Sequence, residues 1–283
     1  MAIGIGINSW VWTSPFTNES LGLLKKAADL GYDSFEFPIE DPSHVTASKV
    51  KDAIKSSGLR PLVCGAFGPS RDLTSDEPKY RQESLDYILA TLKLCEAWGA
   101  KVMAGPMYSA VGKRRQVSPS QKKKEWELAV KGLRKAGEMA ADHGVILGVE
   151  PLNRFETDLV NTCEQAVKLV NDIGHDNVRI HLDTFHMNIE EKSIEGAIKL
   201  AGKKLVHMHV CENDRGAPGT GLVDWEGLAK GLKAVGYKGD AVVESFTPEC
   251  KTIAAAAAIW RPLAKSQDQL ASEGVKFLKK LLK

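Results

Sequence analysis

The runs VILGVE (145–150), VRIHLD (178–183), LVHMHV (205–210) and DAVVE (240–244) decide the fold of this chain. Each is short and apolar, and each is followed by a loop and a helical pattern. Each carries a metal-ligating residue type at its carboxyl end: Glu150, Asp183, His209 and Glu244. Residues two apart in a strand share a face. Glu150 therefore shares a face with Gly148 and Ile146, Asp183 with His181 and Arg179, His209 with His207 and Leu205, and Glu244 with Val242. The neighbours Val149, Leu182, Met208 and Val243 are all apolar, as packing against outer helices requires. Polar inside and apolar outside is expected where the interior of a parallel barrel opens into a site. In a (β/α)8 barrel the four residues would meet at the C-terminal mouth, where such enzymes keep their chemistry.

Working outward, strand patterns also occur at 3–8, 34–37, 60–65 and 101–105. Helical patterns lie near 19–30, 46–57, 79–98, 121–143, 161–173, 191–201, 224–235 and 252–263. Several end on glycine (Gly31, Gly58, Gly99, Gly144 and Gly236), which supplies a left-handed C-cap before the next strand. Eight strand–helix units without a low-complexity linker, in 283 residues, predict one α/β domain over 1–283, a (β/α)8 TIM barrel. An extra C-terminal helix near 267–282 is left over, to cap the barrel bottom or reach a partner subunit. No G-x-G-x-x-G opens a helix, which removes the main dinucleotide cue. Gly219-Thr220-Gly221 lacks the lysine of a phosphate loop and reads as a flexible lid.

The bulk properties narrow the class. A net charge of +2 with mixed signs offers no basic stripe for nucleic acid. The basic triplets at 113–115 and 122–124 read as the solvated start of a helix. Five widely spaced cysteines without a Cys-x-x-Cys pair point to reduced thiols and a cytoplasmic protein. The opening MAIGIGINSWVW reads as a strand rather than a signal peptide, and no apolar run is long enough to span a bilayer. Neither nucleic acid nor membrane is therefore expected as a partner.

Three carboxylates and an imidazole make a hard-to-borderline divalent site, best matched by Mn2+, with Co2+ and Mg2+ permitted by ligand type. Glu150 and Glu244 come from the fifth and eighth strands, which are not neighbours, so they can flank a bound substrate. Two bases on opposite faces of one carbon remove a proton from one side and return it on the other, inverting the centre. A proton beside a carbonyl is a weak acid, and a cation on the carbonyl and adjacent hydroxyl oxygens stabilises the enediolate by several kcal/mol.

The segments VEPLNRFETDLVNT (149–162), HLDTFHMNIEE (181–191), HMHVCENDRGAPGTGLVDW (207–225) and VVESF (242–246) resemble the ketose 3-epimerase family within the xylose-isomerase-like barrels. That family includes D-tagatose, D-psicose (allulose) and L-ribulose 3-epimerases. The likeness continues through INSWVW, LVCGAFGPSRDLTS (62–75) and GPMYSAVGK (105–113). It implies an isomerase that inverts C3 of free ketoses (D-psicose/D-fructose, D-tagatose/D-sorbose, L-ribulose/L-xylulose) through a cis-enediolate. Glu150, Asp183, His209 and Glu244 would hold the metal, with Glu150 and Glu244 as the proton-transfer pair. Glu156, His186 and Arg215 would hold oxygens at the carbonyl end of the sugar, and Trp12, Cys64, Gly65 and Phe246 would line the pocket. The family also implies a homodimer or homotetramer.

Taken alone, His186 is a loop residue and Arg215 sits in a turn-like Asn-Asp-Arg-Gly. His181 and His207 fall a layer below the ligand positions and read as supporting or core histidines. The alternative within enzymes is an aldose–ketose or hydroxypyruvate-type isomerase moving a proton between C1 and C2. A DNA-repair endonuclease on this barrel would want a three-zinc cluster and a basic groove. A non-catalytic sugar-binding protein leaves the two opposed carboxylates unexplained.

Overall fold

The computed structural model describes residues 3–283. Eight parallel strands close into a barrel in chain order. They are β1 (Gly4–Asn8), β2 (Ser34–Ile39), β3 (Arg60–Gly65), β4 (Val102–Gly105), β5 (Ile146–Val149), β6 (Val178–Asp183), β7 (Leu205–Val210) and β8 (Asp240–Val243). β8 pairs with β1 through Gly4–Asp240 to Ile7–Val243, which leaves no free edge. Outward residues such as Phe35, Phe37, Leu147, Ile180, Met208 and Val243 are fully buried against the helices. The β6–β7 register shifts between Ile180 and His181, one layer beneath the predicted ligands. Such irregularities re-aim side chains next to sites.

The helices are α1 (Gly22–Leu30), α2 (Ala47–Ser57), α3 (Pro78–Trp98), α4 (Pro119–Asp142), α5 (Cys163–Ile173), α6 (Thr184–Glu190), α7 (Ile194–Ala201), α8 (Trp225–Val235), α9 (Lys251–Ala256) and α10 (Gln267–Leu282). Prolines open α3 and α4, where a missing N–H costs nothing. The Thr162 hydroxyl and Gln165 side chain form a reciprocal cap on α5. Gly31 and Gly99 end α1 and α3 at φ 90° and 79°, as their positions predict.

Several expectations need correction. The helix expected over 252–263 is only Lys251–Ala256, and Ala258 turns the chain at φ 56°. That short helix lies over the barrel mouth, and the C-terminal helix expected near 267–282 is present as α10. Its stripe of Leu270, Ala271, Gly274, Val275 and Leu278 is buried, and it packs between α1 and α8 on β1 and β8 as the eighth outer helix. Tyr32 fastens it by donating to Ala271 O at 2.7 Å. Asp183 caps the unpredicted α6 through Phe185 N, so His186 sits on a helix and not in a loop. The Gly219–Gly221 segment is no lid: the buried Glu212 carboxylate accepts from Gly219 N (2.8 Å), Val223 N (3.2 Å) and Trp225 Nε1 (2.7 Å).

The basic triplets are likewise not simply solvated. Lys113 reaches Asp72 at 2.7 Å, Arg115 reaches Glu125 at 2.8 Å, and Lys122 pairs with Asp158. Glu125 is 1% exposed. This network ties the loops after β3, β4 and β5 to α4, and so holds the mouth together. Removing a partner strands the rest in a poorly hydrated place. Glu125→Ala should cost about 2 kcal/mol in denaturant unfolding, the loss of charge-assisted hydrogen bonds. Lys123→Ala, whose pairing with Glu127 is exposed at 4.0 Å, should change stability by less than about 0.5 kcal/mol. Equal effects would show that the network carries no stability.

Candidate active site

The four sequence-predicted ligands meet at the mouth. Glu150 directly follows β5, Asp183 ends β6, His209 is the penultimate residue of β7 and Glu244 directly follows β8. All four are buried. Glu150, Asp183 and His209 each place one ligand atom within 4.8 Å of the others, and Glu244 Oε1 lies 3.2 Å from His209 Nδ1. His209 Nδ1 nonetheless has no hydrogen-bond partner. An unpartnered buried ring nitrogen facing three carboxylates is a donor set that could hold a divalent cation.

Arg215 supplies the fixed positive charge. Its Nη1 lies 2.6 Å from Asp183 Oδ2 and 2.8 Å from Glu244 Oε2. Against the cost of burial, Arg215, His186 and His209 hold the Asp183 carboxyl below the usual range. Burial drives the Glu150 carboxyl well above its ordinary value, with Glu244 and Asp183 adding to the push and His209 opposing it. Burial opposes charge on His209, yet Glu244 and Glu36 raise it well above the usual imidazole value.

Glu36 is the residue the strand pattern left without a role. It stands at the centre of β2, fully buried, between the outward Phe35 and Phe37. Its Oε2 lies 2.7 Å from His209 Nε2 and accepts from Asn8 Nδ2 at 2.7 Å. Its Oε1 lies 2.7 Å from His207 Nε2, out of line for a hydrogen bond. A carboxylate accepting from Nε2–H leaves the Nδ1 lone pair of His209 turned to the acidic cluster, the arrangement that orients metal-ligating histidines. His181 and His207 pack edge-on beneath, with ring centroids 4.2 and 5.0 Å from His209. The signal was a single carboxylate at inward parity in SFEF.

The groups expected at the carbonyl end of a sugar gather beside the cluster. Asn153 donates its backbone N–H to His186 Nδ1 at 3.1 Å, which orients the ring with Nε2 toward the cluster. That nitrogen faces Glu150 Oε1 at 3.7 Å and Arg215 Nη2 at 3.3 Å. Asn153 also donates to Glu156 Oε1 at 2.8 Å, coupling the two residues. The Arg215 guanidinium lies 4.0 Å from the Phe185 ring and 5.2 Å from the Phe246 ring. Its backbone is left-handed (φ 67°), a conformation unusual for a bulky residue, and Ser245 Oγ holds its carbonyl at 2.6 Å.

Cys64, Gly65, Glu156, His186, Arg215 and Phe246 open on one cleft of about 1000 Å³, together with Glu150, His209 and Glu244. Burial and the nearby carboxylates push the Cys64 thiol well above its ordinary value, which fits a wall residue and not a nucleophile. Trp12 departs from expectation. Its indole donates to Asp268 Oδ1 on α10 at 2.7 Å and packs under Lys26. Trp10 takes the cleft position instead, its ring 5.6 Å from Phe246. Asn8 caps a 3-10 turn over Ser9–Val11, and that turn sends the two indoles apart.

Residues 24–281 match the model of the xylose isomerase-like TIM barrel family. The barrel with its site at the C-terminal mouth therefore defines the class. Within it, the chain belongs to the ketose 3-epimerases and is an enzyme of the isomerase class. It is 32% identical to a D-psicose 3-epimerase of Ruminiclostridium cellulolyticum, over 93% of this chain and 91% of that one. It is also 32% identical to an L-ribulose 3-epimerase of Mesorhizobium japonicum, over 97% and 92% of the two chains. A crystal structure of a D-allulose 3-epimerase from Methylomonas sp. in complex with D-allulose superposes with TM-score 0.93 at 27% identity, covering 99% of this chain and 97% of that one. Among the described residues no helix is long and apolar enough to cross a membrane.

Glu36→Gln keeps the shape of the side chain but removes its charge from His209. Mn2+ affinity by calorimetry should fall about tenfold, the lower end of such outer-partner effects. Unchanged affinity in a normally folded variant would show that Glu36 does not orient His209 for a metal.

Proposed function

We propose that this chain is a metal-dependent epimerase inverting C3 of free ketoses such as D-fructose/D-psicose, D-tagatose/D-sorbose or L-ribulose/L-xylulose. The observation that carries the reading is the placement of two buried carboxylates, Glu150 after β5 and Glu244 after β8, at one cleft floor with Arg215 and His186 beside them. A divalent cation held by Glu150, Asp183, His209 and Glu244, Mn2+ or by ligand type Co2+ or Mg2+, would supply polarisation of the ketose oxygens.

The remaining chemistry belongs to the chain's own residues. One glutamate accepts the C3 proton on a carboxylate oxygen, and the other donates a proton to the opposite face. In the reverse direction the roles exchange. Negative charge developing on the carbonyl oxygen faces the Arg215 guanidinium, a donor fixed before substrate arrives, with the His186 ring beside it. Glu156, oriented by Asn153, accepts from a sugar hydroxyl. The phenyl walls of Phe185 and Phe246 keep the arginine dry, so its field is not spent on solvent.

Glu150→Gln and Glu244→Gln should each lower kcat about a thousandfold or more, as loss of a proton-transfer group does. Chromatography of products from D-fructose, D-tagatose and L-ribulose reads the result, with circular dichroism confirming the fold. Turnover like wild type in either variant would eliminate the two-base scheme. An aldose product from the wild-type enzyme would move the reaction to C1–C2 isomerisation.

A further inference from the structure

The cleft is built in two halves. Its floor is polar, with Glu150, His186, Arg215 and Glu244 around one point. Its outer half is apolar and carries two aromatic rings largely in solvent: Phe155, 62% exposed, and Trp260, 76% exposed. They come from different segments, the loop after β5 and the turn after α9. Phe155 is presented by an anchored loop. Arg154 bonds Glu190 through two nitrogens at 2.9 Å, and Arg114 Nη1 donates to Phe155 O at 2.8 Å. The volume of about 1000 Å³ is at the upper end of sites that enclose drug-sized ligands, and several times what one hexose fills. Leu222 is also strongly exposed but stands apart from this cleft.

We propose that this outer half is a subsite for a second sugar ring, linked to the end of the ketose remote from its carbonyl. The inference rests on the ketose reading above and names the substrate class more closely. A pyranose presents C–H faces that stack on exposed aromatic rings while its hydroxyls stay hydrated at the rim. An isolated apolar occupant would not need an open mouth, and the arginines of the lining, Arg71 and Arg114, are held by backbone carbonyls. Arg71 spends its guanidinium on Ala66 O and Glu40 O, both at 2.7 Å. The linkage must leave C1 to C3 free, because those atoms face the floor. A 6-O-glucosyl ketose meets that condition and a 1-O-linked one does not.

The test compares 6-O-glucosyl-D-fructose with D-fructose in the full-length, Mn2+-loaded enzyme. Wild type should epimerise the disaccharide with kcat/KM at least equal to that for D-fructose. Trp260→Ala and Phe155→Ala should each raise KM for the disaccharide about tenfold, the size of one stacking contact, and leave D-fructose within about twofold. Turnover of D-fructose with rejection of the disaccharide would overturn the subsite, as would equal effects of the variants on both sugars. Binding is read separately by quenching of tryptophan emission in Glu244→Gln, which should exceed that given by D-fructose and lose the excess when Trp260→Ala is added, Trp10 remaining in the cleft. Quenching by the disaccharide without turnover of any ketose would keep the subsite and reject the C3 chemistry. Absence of that excess would reject the subsite.

Discussion

Everything at the barrel mouth depends on keeping buried carboxylates compatible with one another. Glu36, Glu150, Asp183 and Glu244 all lie within the protein, where like charges repel strongly and hydration is lost. One fixed cation and one imidazole answer them. Arg215 bridges Asp183 and Glu244, and His209 stands between Glu244 and Glu36. The left-handed backbone of Arg215 follows from this need. The turn Asn213–Gly216 must deliver a guanidinium downward into the mouth, and the Glu212 N–H to Gly216 O and Arg215 N–H to Glu212 O bonds hold that turn. A strained residue persists because its surroundings over-determine it.

The loops are positioned by a second polar construction farther out. The network around Glu125 fixes the segment bearing Asp158, two residues from Glu156. Asn153, at the other end of the same short loop, aligns both Glu156 and His186. Loop anchoring and the orientation of Glu156 and His186 are thus shared across one stretch of chain, 153–158. The barrel places the acidic floor, and this stretch places Glu156 and, through Asn153, the His186 ring.

Much of this arrangement was legible in the sequence because barrel strands are short and alternate strictly. The parity of Glu150, Asp183, His209 and Glu244 followed from residue spacing alone, and the glycine stops followed from the demand for a left-handed C-cap. What escaped the reading was set by tertiary contact. Glu36 lay within an ordinary strand, and only its distance to His207 and His209, far away in the chain, gives it a role. Trp10 and Trp12 cannot be told apart until the Asn8-capped turn separates them. The place of α10 depended on α9 being too short and wrongly placed to complete the ring. The lysines and arginines at 113–115 and 122–124 looked solvated because their partner Glu125 is buried only once α4 docks.

The proposed reaction turns on a proton exchanged at C3 by this acidic floor. The most direct measurement is NMR of D-fructose, D-tagatose and L-ribulose incubated in D2O with protein stripped by chelator and then restored with Mn2+. Deuterium is expected at C3 of substrate and C3-epimeric ketose, dependent on Mn2+. Deuterium at C1 or C2 with an aldose product, or epimerisation undiminished after complete metal removal, would contradict it.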